Sequence, residues 1–122
     1  MADKLMIILL NTNPNNPAEV GAPFFQATIA ASMEYEVEII FTGAAGQLAV
    51  KGVADKIALQ SGGDRTLYDV IKQAHEAGVA LKVCAPAREI WGNDLIAEVE
   101  ETVGGGYIVS AAMAEGTVTF TY

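Results

Sequence analysis

One cysteine, one histidine and seven basic residues in 122 are what this chain has least of, and each shortage closes a class of function. A lone thiol, Cys84, forms no internal disulfide, so no covalent framework is expected to hold the fold. One histidine beside one cysteine supplies no ligand set for a metal, and no cofactor is expected either. Seven Lys and Arg against fifteen Asp and Glu leave a net charge of −8. The basic residues are scattered from Lys4 to Arg88 rather than clustered, which argues against nucleic acid and anionic membrane as partners. No apolar run approaches the roughly 18 residues needed to span a bilayer. Met1 to Lys4 lacks the basic start of a secretory signal, and a cytoplasmic protein is the expectation.

What the chain does have is apolar residues, 52% of the total against 18% charged, which excludes disorder and fits one domain over residues 1–122. Leu5 to Leu10 is an unbroken apolar run, as in a parallel strand covered on both faces. The turn-rich Asn11 to Pro17 follows, and then a helix from about Ala22 to Met33. Phe24, Phe25, Thr28, Ile29 and Ser32 recur at helical spacing and predict its buried face. Tyr35 to Phe41 reads as a second strand. The partial alternation set by Glu36 and Glu38 predicts an edge position with one wet face. Gly43 to Gly52 predicts a short helix, and Val53 to Gly63 an irregular or weakly helical stretch. Thr66 and Asp69 have the spacing of a capping box opening a helix to Ala77, which Gly78 ends.

Val79 to Cys84 predicts the third strand, and Pro86 opens a helix reaching Trp91 before Gly92 and Asn93 break it. Asp94 is placed to cap a further short helix. Val99 to Val103 reads as a short strand, Tyr107 to Glu115 as a helix, and Thr117 to Tyr122 as a last strand rich in Thr, Phe and Tyr. The alternating order predicts a three-layer α/β/α sandwich on a mainly parallel sheet of about five strands.

In such a sheet ligands gather at the carboxyl edge, and the strand-to-helix junction at Cys84 lies there. A thiolate at that place is a candidate nucleophile. Exposed helix N–H groups favour an anion by about 0.3–1 kcal/mol, and Arg88 in the first helical turn adds to this if it points back. Asn11 and Asn13 belong to the loop after the first strand and should share the edge; with Arg88 and Trp91 they make the candidate pocket around the sulfur. The plain alternatives stay open: Cys84 as a small core residue, the Asn residues as turn formers, Trp91 as a core or interface anchor. His75 falls near the helix end that leads to the opposite edge, which gives it a surface role. The glycines at Gly43 to Gly46 and Gly104 to Gly106 match no phosphate-binding pattern and read as turns.

In order along the chain, several segments together resemble the DsrE/DsrF/TusD-like family. They are the first strand, Ala22-Pro23-Phe24-Phe25, Glu36 to Thr42, Gly52 to Ile57, Thr66 to Val70, and Cys84 followed by Trp91-Gly92. The resemblance implies a compact α/β domain, cytoplasmic location and a homo-oligomer, trimeric or hexameric. It also implies sulfur relay, in which Cys84 accepts sulfane sulfur as a persulfide and passes it to another carrier protein, a sulfurtransferase-like activity. Where many relatives have a Ser or second Cys, this chain has Pro86, Ala87 and Arg88, so no nearby hydroxyl or resolving thiol is expected. The alternative is a non-catalytic structural or small-ligand-binding subunit of such an oligomer. A one-cysteine peroxide reductase would want a hydroxyl three residues before the thiol, and Leu81 stands there.

Overall fold

The computed structural model describes residues 3–59 and 64–122. Five strands, β1 (Lys4–Leu9), β2 (Glu36–Phe41), β3 (Ala80–Cys84), β4 (Val99–Val103) and β5 (Thr117–Thr121), form one sheet in the order β4-β3-β2-β1-β5. Every neighbouring pair is parallel. All five carboxyl ends therefore point to one edge. The chain steps from β1 to β4 in one direction and returns to place β5 on the far side of β1.

Side chains alternate between the two faces of a strand, and here both faces are apolar. Leu5, Ile7, Leu9, Val37, Ile39, Phe41, Leu81 and Val83 form one face of the main core. Helices α1 (Pro17–Val20), α2 (Ala22–Ser32) and α3 (Leu67–Glu76), with a 3₁₀ segment at Gly43–Ala49, follow β1 and β2 in the chain. The Phe24 and Phe41 rings meet there at 6.0 Å between centroids and a tilt of 33°, a geometry worth about 0.5–1.5 kcal/mol beyond burial alone. The opposite face is smaller. Met6, Ile40 and Val103 are buried there under a single helix, α5 (Gly105–Met113), which rests on them through Tyr107, Ile108, Ala111 and Ala112. The result is the three-layer α/β/α arrangement that the alternating order predicts.

Local signals explain the element ends. The Thr66 side chain accepts from the Asp69 N–H while the Asp69 carboxylate accepts from the Thr66 N–H, so the predicted capping box opens α3. Gly78, at φ +105°, takes the left-handed turn that ends it. Helix α4 (Ala85–Trp91) ends at Gly92, also as predicted.

Other expectations are corrected. β2 is not an edge strand: it is the middle of the sheet, paired with β1 and β3. Its alternation arises because Glu38 is buried among cations, not because that face is wet. The buried face of α2 is Pro23, Phe24, Ala27 and Ala30, whereas Ile29 is exposed. The small alanines let the helix lie close to the sheet, and that rotates the bulkier Ile29 outward. Asp94 caps no helix; the adjoining Leu95 instead bridges to Val50. The short helix expected from Gly43 is a 3₁₀ helix, Gly43–Ala49. In the Val53–Gly63 stretch the described residues hold a 3₁₀ turn at Ala54–Lys56 and a bridge from Ala58 to Thr66, in keeping with an irregular or weakly helical reading; its last four residues lie outside the described ones.

Candidate functional site

Cys84 is the last residue of β3 and the N-cap of α4, with extended backbone at φ −74° and ψ 136°. Helix α4 thus begins one residue earlier than the sequence predicts, with Ala85 rather than Pro86 in its first position. That shift matters because an N-cap side chain bonds the N–H of the second or third helical residue. The second is Pro86, which has no N–H, so Ala87 is the one remaining donor, and no side-chain cap bond is formed. The thiol is free, and with 9% of its surface exposed it lies at the margin of the core.

Helix α4 is fastened on both sides of the thiol's strand. On one side the Trp91 indole N–H donates to the Gly43 carbonyl at 2.8 Å. Gly46 faces Ala87 and Trp91 so closely that a Cβ there would lie 2.7 Å from the Ala87 Cβ and 2.8 Å from the Trp91 Cδ1. On the other side the Arg88 guanidinium donates to the Asn93 Oδ1 and the Thr102 Oγ1, both at 2.8 Å. Arg88 is thus engaged with the loop after α4 and with β4. Arg88 and Trp91 both belong to α4, but their polar groups are bonded to Asn93, Thr102 and Gly43 rather than to the sulfur.

Asn11 and Asn13 share the carboxyl edge but stand apart from this group. Asn11 follows β1, and β2 lies between β1 and β3, a lateral offset of about 10 Å. The Leu10 and Asn11 N–H groups both donate to the Tyr122 carbonyl, at 2.8 and 3.0 Å. Asn11 lines a cavity of about 340 Å³ with Thr12, Glu19, Ala22 and Tyr122, and its walls include neither Cys84 nor Trp91. Asn13 uses its Oδ1 to accept the Asn15 N–H at 2.9 Å, the turn-forming role of Asn. His75 is at the other edge, 2.9 Å from a Glu100 carboxylate oxygen. Among the described residues no cluster of three or more His, Cys, Asp or Glu side chains is arranged to hold a metal ion.

Sequence reasoning missed one constellation, on the sheet face beneath α5. Glu38, 3% exposed, accepts from the Lys4 ammonium at 2.7 Å and from the Tyr107 hydroxyl at 2.9 and 3.1 Å. Lys82 lies 3.5 Å from the same carboxylate and donates to the Tyr107 hydroxyl at 2.7 Å. Burial alone would push the Glu38 carboxyl up, but the Lys4 and Tyr107 hydrogen bonds and the Lys82 charge prevail and hold it below its ordinary 4.5. Lys4 is raised, chiefly by its bond to Glu38. Burial opposes the charge on Lys82, yet the Tyr107 bond and Glu38 raise it as well. A partial signal was present: Glu38 and Lys82 each interrupt an apolar strand and Lys4 opens one, and the sheet register then brings all three to one face. The constellation fastens α5 to the sheet, with Lys82 two residues before Cys84 on β3.

Taken together, these features define a parallel α/β protein with a single free thiol at the carboxyl edge, capping a short helix. The profile of the DsrE/DsrF-like family matches residues 4–121, and the chain belongs to that family. No curated protein matches it. Among the described residues no helix is long and apolar enough to cross a membrane.

Proposed function

We propose that this protein is a small cytoplasmic sulfur-relay protein that carries sulfane sulfur as a persulfide on Cys84. Members of its family generally act in sulfur relay. The observation that carries the reading to a residue is the position of Cys84, the chain's only thiol, at the strand–helix junction of the carboxyl edge. The Cys84 thiolate attacks the outer sulfur of a donor persulfide. A new S–S bond forms at Cys84 as the donor's own S–S bond breaks, and the donor leaves as a thiolate. No electron is gained or lost overall. Transfer onward repeats the step with an acceptor thiolate attacking the outer sulfur now on Cys84. In this reading Trp91 and Arg88, on the helix that Cys84 caps, shape the approach to the sulfur. Asn11 and Asn13, further along the edge, meet the docked carrier protein. The working form is a homo-oligomer, a trimer or hexamer.

Incubation with a sulfane-sulfur donor should add about 32 Da, one sulfur atom, to the intact protein. Cys84→Ser should take up none. Absence of the adduct in the native chain, or its persistence in the variant, sinks the proposal.

One observation favours a second reading, a structural subunit: Cys84 is nine-tenths covered and packs with the core. A thiol reagent separates the two. Slow labelling of the native protein with fast labelling after denaturation supports the structural role, and fast native labelling supports the carrier.

A further inference from the structure

The sheet ends at β5, whose outer side pairs with nothing among the described residues. Natural edge strands are blunted by Lys, Pro, a bulge or a covering element. The β5 sequence Thr117-Val118-Thr119-Phe120-Thr121 has no charge and no Pro, and four of its five residues are exposed. Beside it runs an apolar groove of about 370 Å³, lined by Val118 and Phe120 of β5 and by Ile29, Ala30, Met33 and Tyr35. Among the described residues no acidic side chain lines it, although the chain as a whole is at −8. The ammonium of Lys4, at one end, is committed to Glu38.

We infer that β5 and this groove form a two-fold interface with a second copy of the chain, through antiparallel β5–β5 pairing centred on Thr119. The backbone supports the geometry. The Tyr122 N–H and C=O both face β1, bonding to the Ile8 carbonyl and the Leu10 N–H. Alternate residues of a parallel strand share a direction, so the N–H and C=O groups of Thr119 and Thr121 point outward, free to pair. The side chains choose the register. Continuity of the two sheet faces demands that odd residues meet odd and even meet even. Only the register centred on Thr119 sets all five positions opposite one another, the Thr117 N–H alone staying with the Ala114 carbonyl. It sets Val118 against Phe120 of the second copy, Thr117 against Thr121, and Thr119 against itself. Aromatic with β-branched and Thr with Thr are stabilising cross-strand pairs.

The area is also adequate. Ile29, Met33, Tyr35, Val118 and Phe120 are each between 40% and 61% exposed. At about 200 Å² for a whole large side chain, they leave about 500 Å² in water on each copy. Two copies together then bury about 1,000 Å² before any polar rim is counted, the lower limit for a specific interface. A two-fold contact fits a hexamer and does not fit a lone trimer. The inference stands apart from the sulfur chemistry, because it is tested by mass and with Cys84 replaced.

The test is the solution mass of the full chain over the micromolar range, with two variants. The native chain should form an assembly with an even number of subunits. Thr119→Pro removes an outward N–H that the isolated sheet does not use, a change edge strands tolerate, and should at least halve that mass while circular dichroism stays unchanged. Opposed residues of a hydrogen-bonded antiparallel pair have Cα atoms about 5.5 Å apart, within disulfide reach. Thr119→Cys in a Cys84→Ser background should therefore oxidise to a covalent dimer, a readout that does not depend on how well the proline variant folds. A monomeric or odd-numbered native assembly overturns the inference, and a monomer leaves the groove to a strand from another protein. An unchanged mass for a well-folded Thr119→Pro, or no cross-link at Thr119→Cys, overturns it as well.

Discussion

Glu38 shows how one residue can mislead a pattern and still organise a face of the molecule. Written in sequence, a Glu in a strand of Val, Ile and Phe signals water. In space it is the anion that two lysines and a tyrosine share. Removing one member of a buried ion group leaves the others uncompensated, so Glu38→Gln should cost about 3 kcal/mol in denaturant unfolding. The pH dependence follows from the directions of shift. Glu38 titrates below its ordinary 4.5 in the folded chain, so its contribution is complete above that pH and is lost as pH falls through the lower folded value. Lys4 and Lys82 titrate above 10.5, so theirs is complete below that pH and is lost as pH rises through the higher folded values. Stability should be flat between these limits and fall outside them. Glu38→Gln should flatten the acid limb, which urea midpoints measured across pH would show. Cys84 was legible as a residue because a strand run, a thiol and a proline fall in sequence. The grouping of Lys4 and Lys82 around Glu38 was not, because the two cations come from strands on either side of β2 and only the strand order brings them together.

At the scale of elements, the signals that succeeded were local. The Thr66–Asp69 box, the left-handed turn at Gly78 and the stop at Gly92 each depend on residues within a few positions of one another. Those that failed required knowledge of the neighbour. The rotated face of α2 and the central place of β2 are settled by what packs against them. Helix α4 combines both kinds. Its end was readable, but its seat on the Gly43–Ala49 segment depends on Gly46, whose missing Cβ admits Ala87 and Trp91. Gly46→Ala places a methyl group at 2.7 Å from the Ala87 Cβ, which cannot move without its backbone, and at 2.8 Å from the Trp91 Cδ1. The variant should lose about 1–3 kcal/mol and change the environment of Trp91, the single tryptophan, as read by its fluorescence.

Across the whole molecule, the class of fold was readable because β1, β2 and β3 are largely apolar runs and each is followed by helical or turn signals. The strand order was not, since a run such as Thr117–Thr121 carries no mark of whether it will pair with β1 or with β4. We propose that residues 1–122 fold as one domain and hence as one cooperative unit. Unfolding followed by tryptophan fluorescence and by far-ultraviolet circular dichroism should give coincident transitions, and two separated ones would divide the chain into independent parts.

The sheet is unevenly dressed. One face is covered by several helices. The other is roofed by the nine-residue α5, which has no charged side chain and leaves Val109 64% and Met113 80% exposed. Its one polar rivet is the Tyr107 phenol. Raising that roof requires giving up a few contacts and a shared proton network, far less than dismantling the main core. Breathing of this protein should therefore begin at its C-terminal third, letting water reach Glu38 while the thiol's end of β3 is still folded.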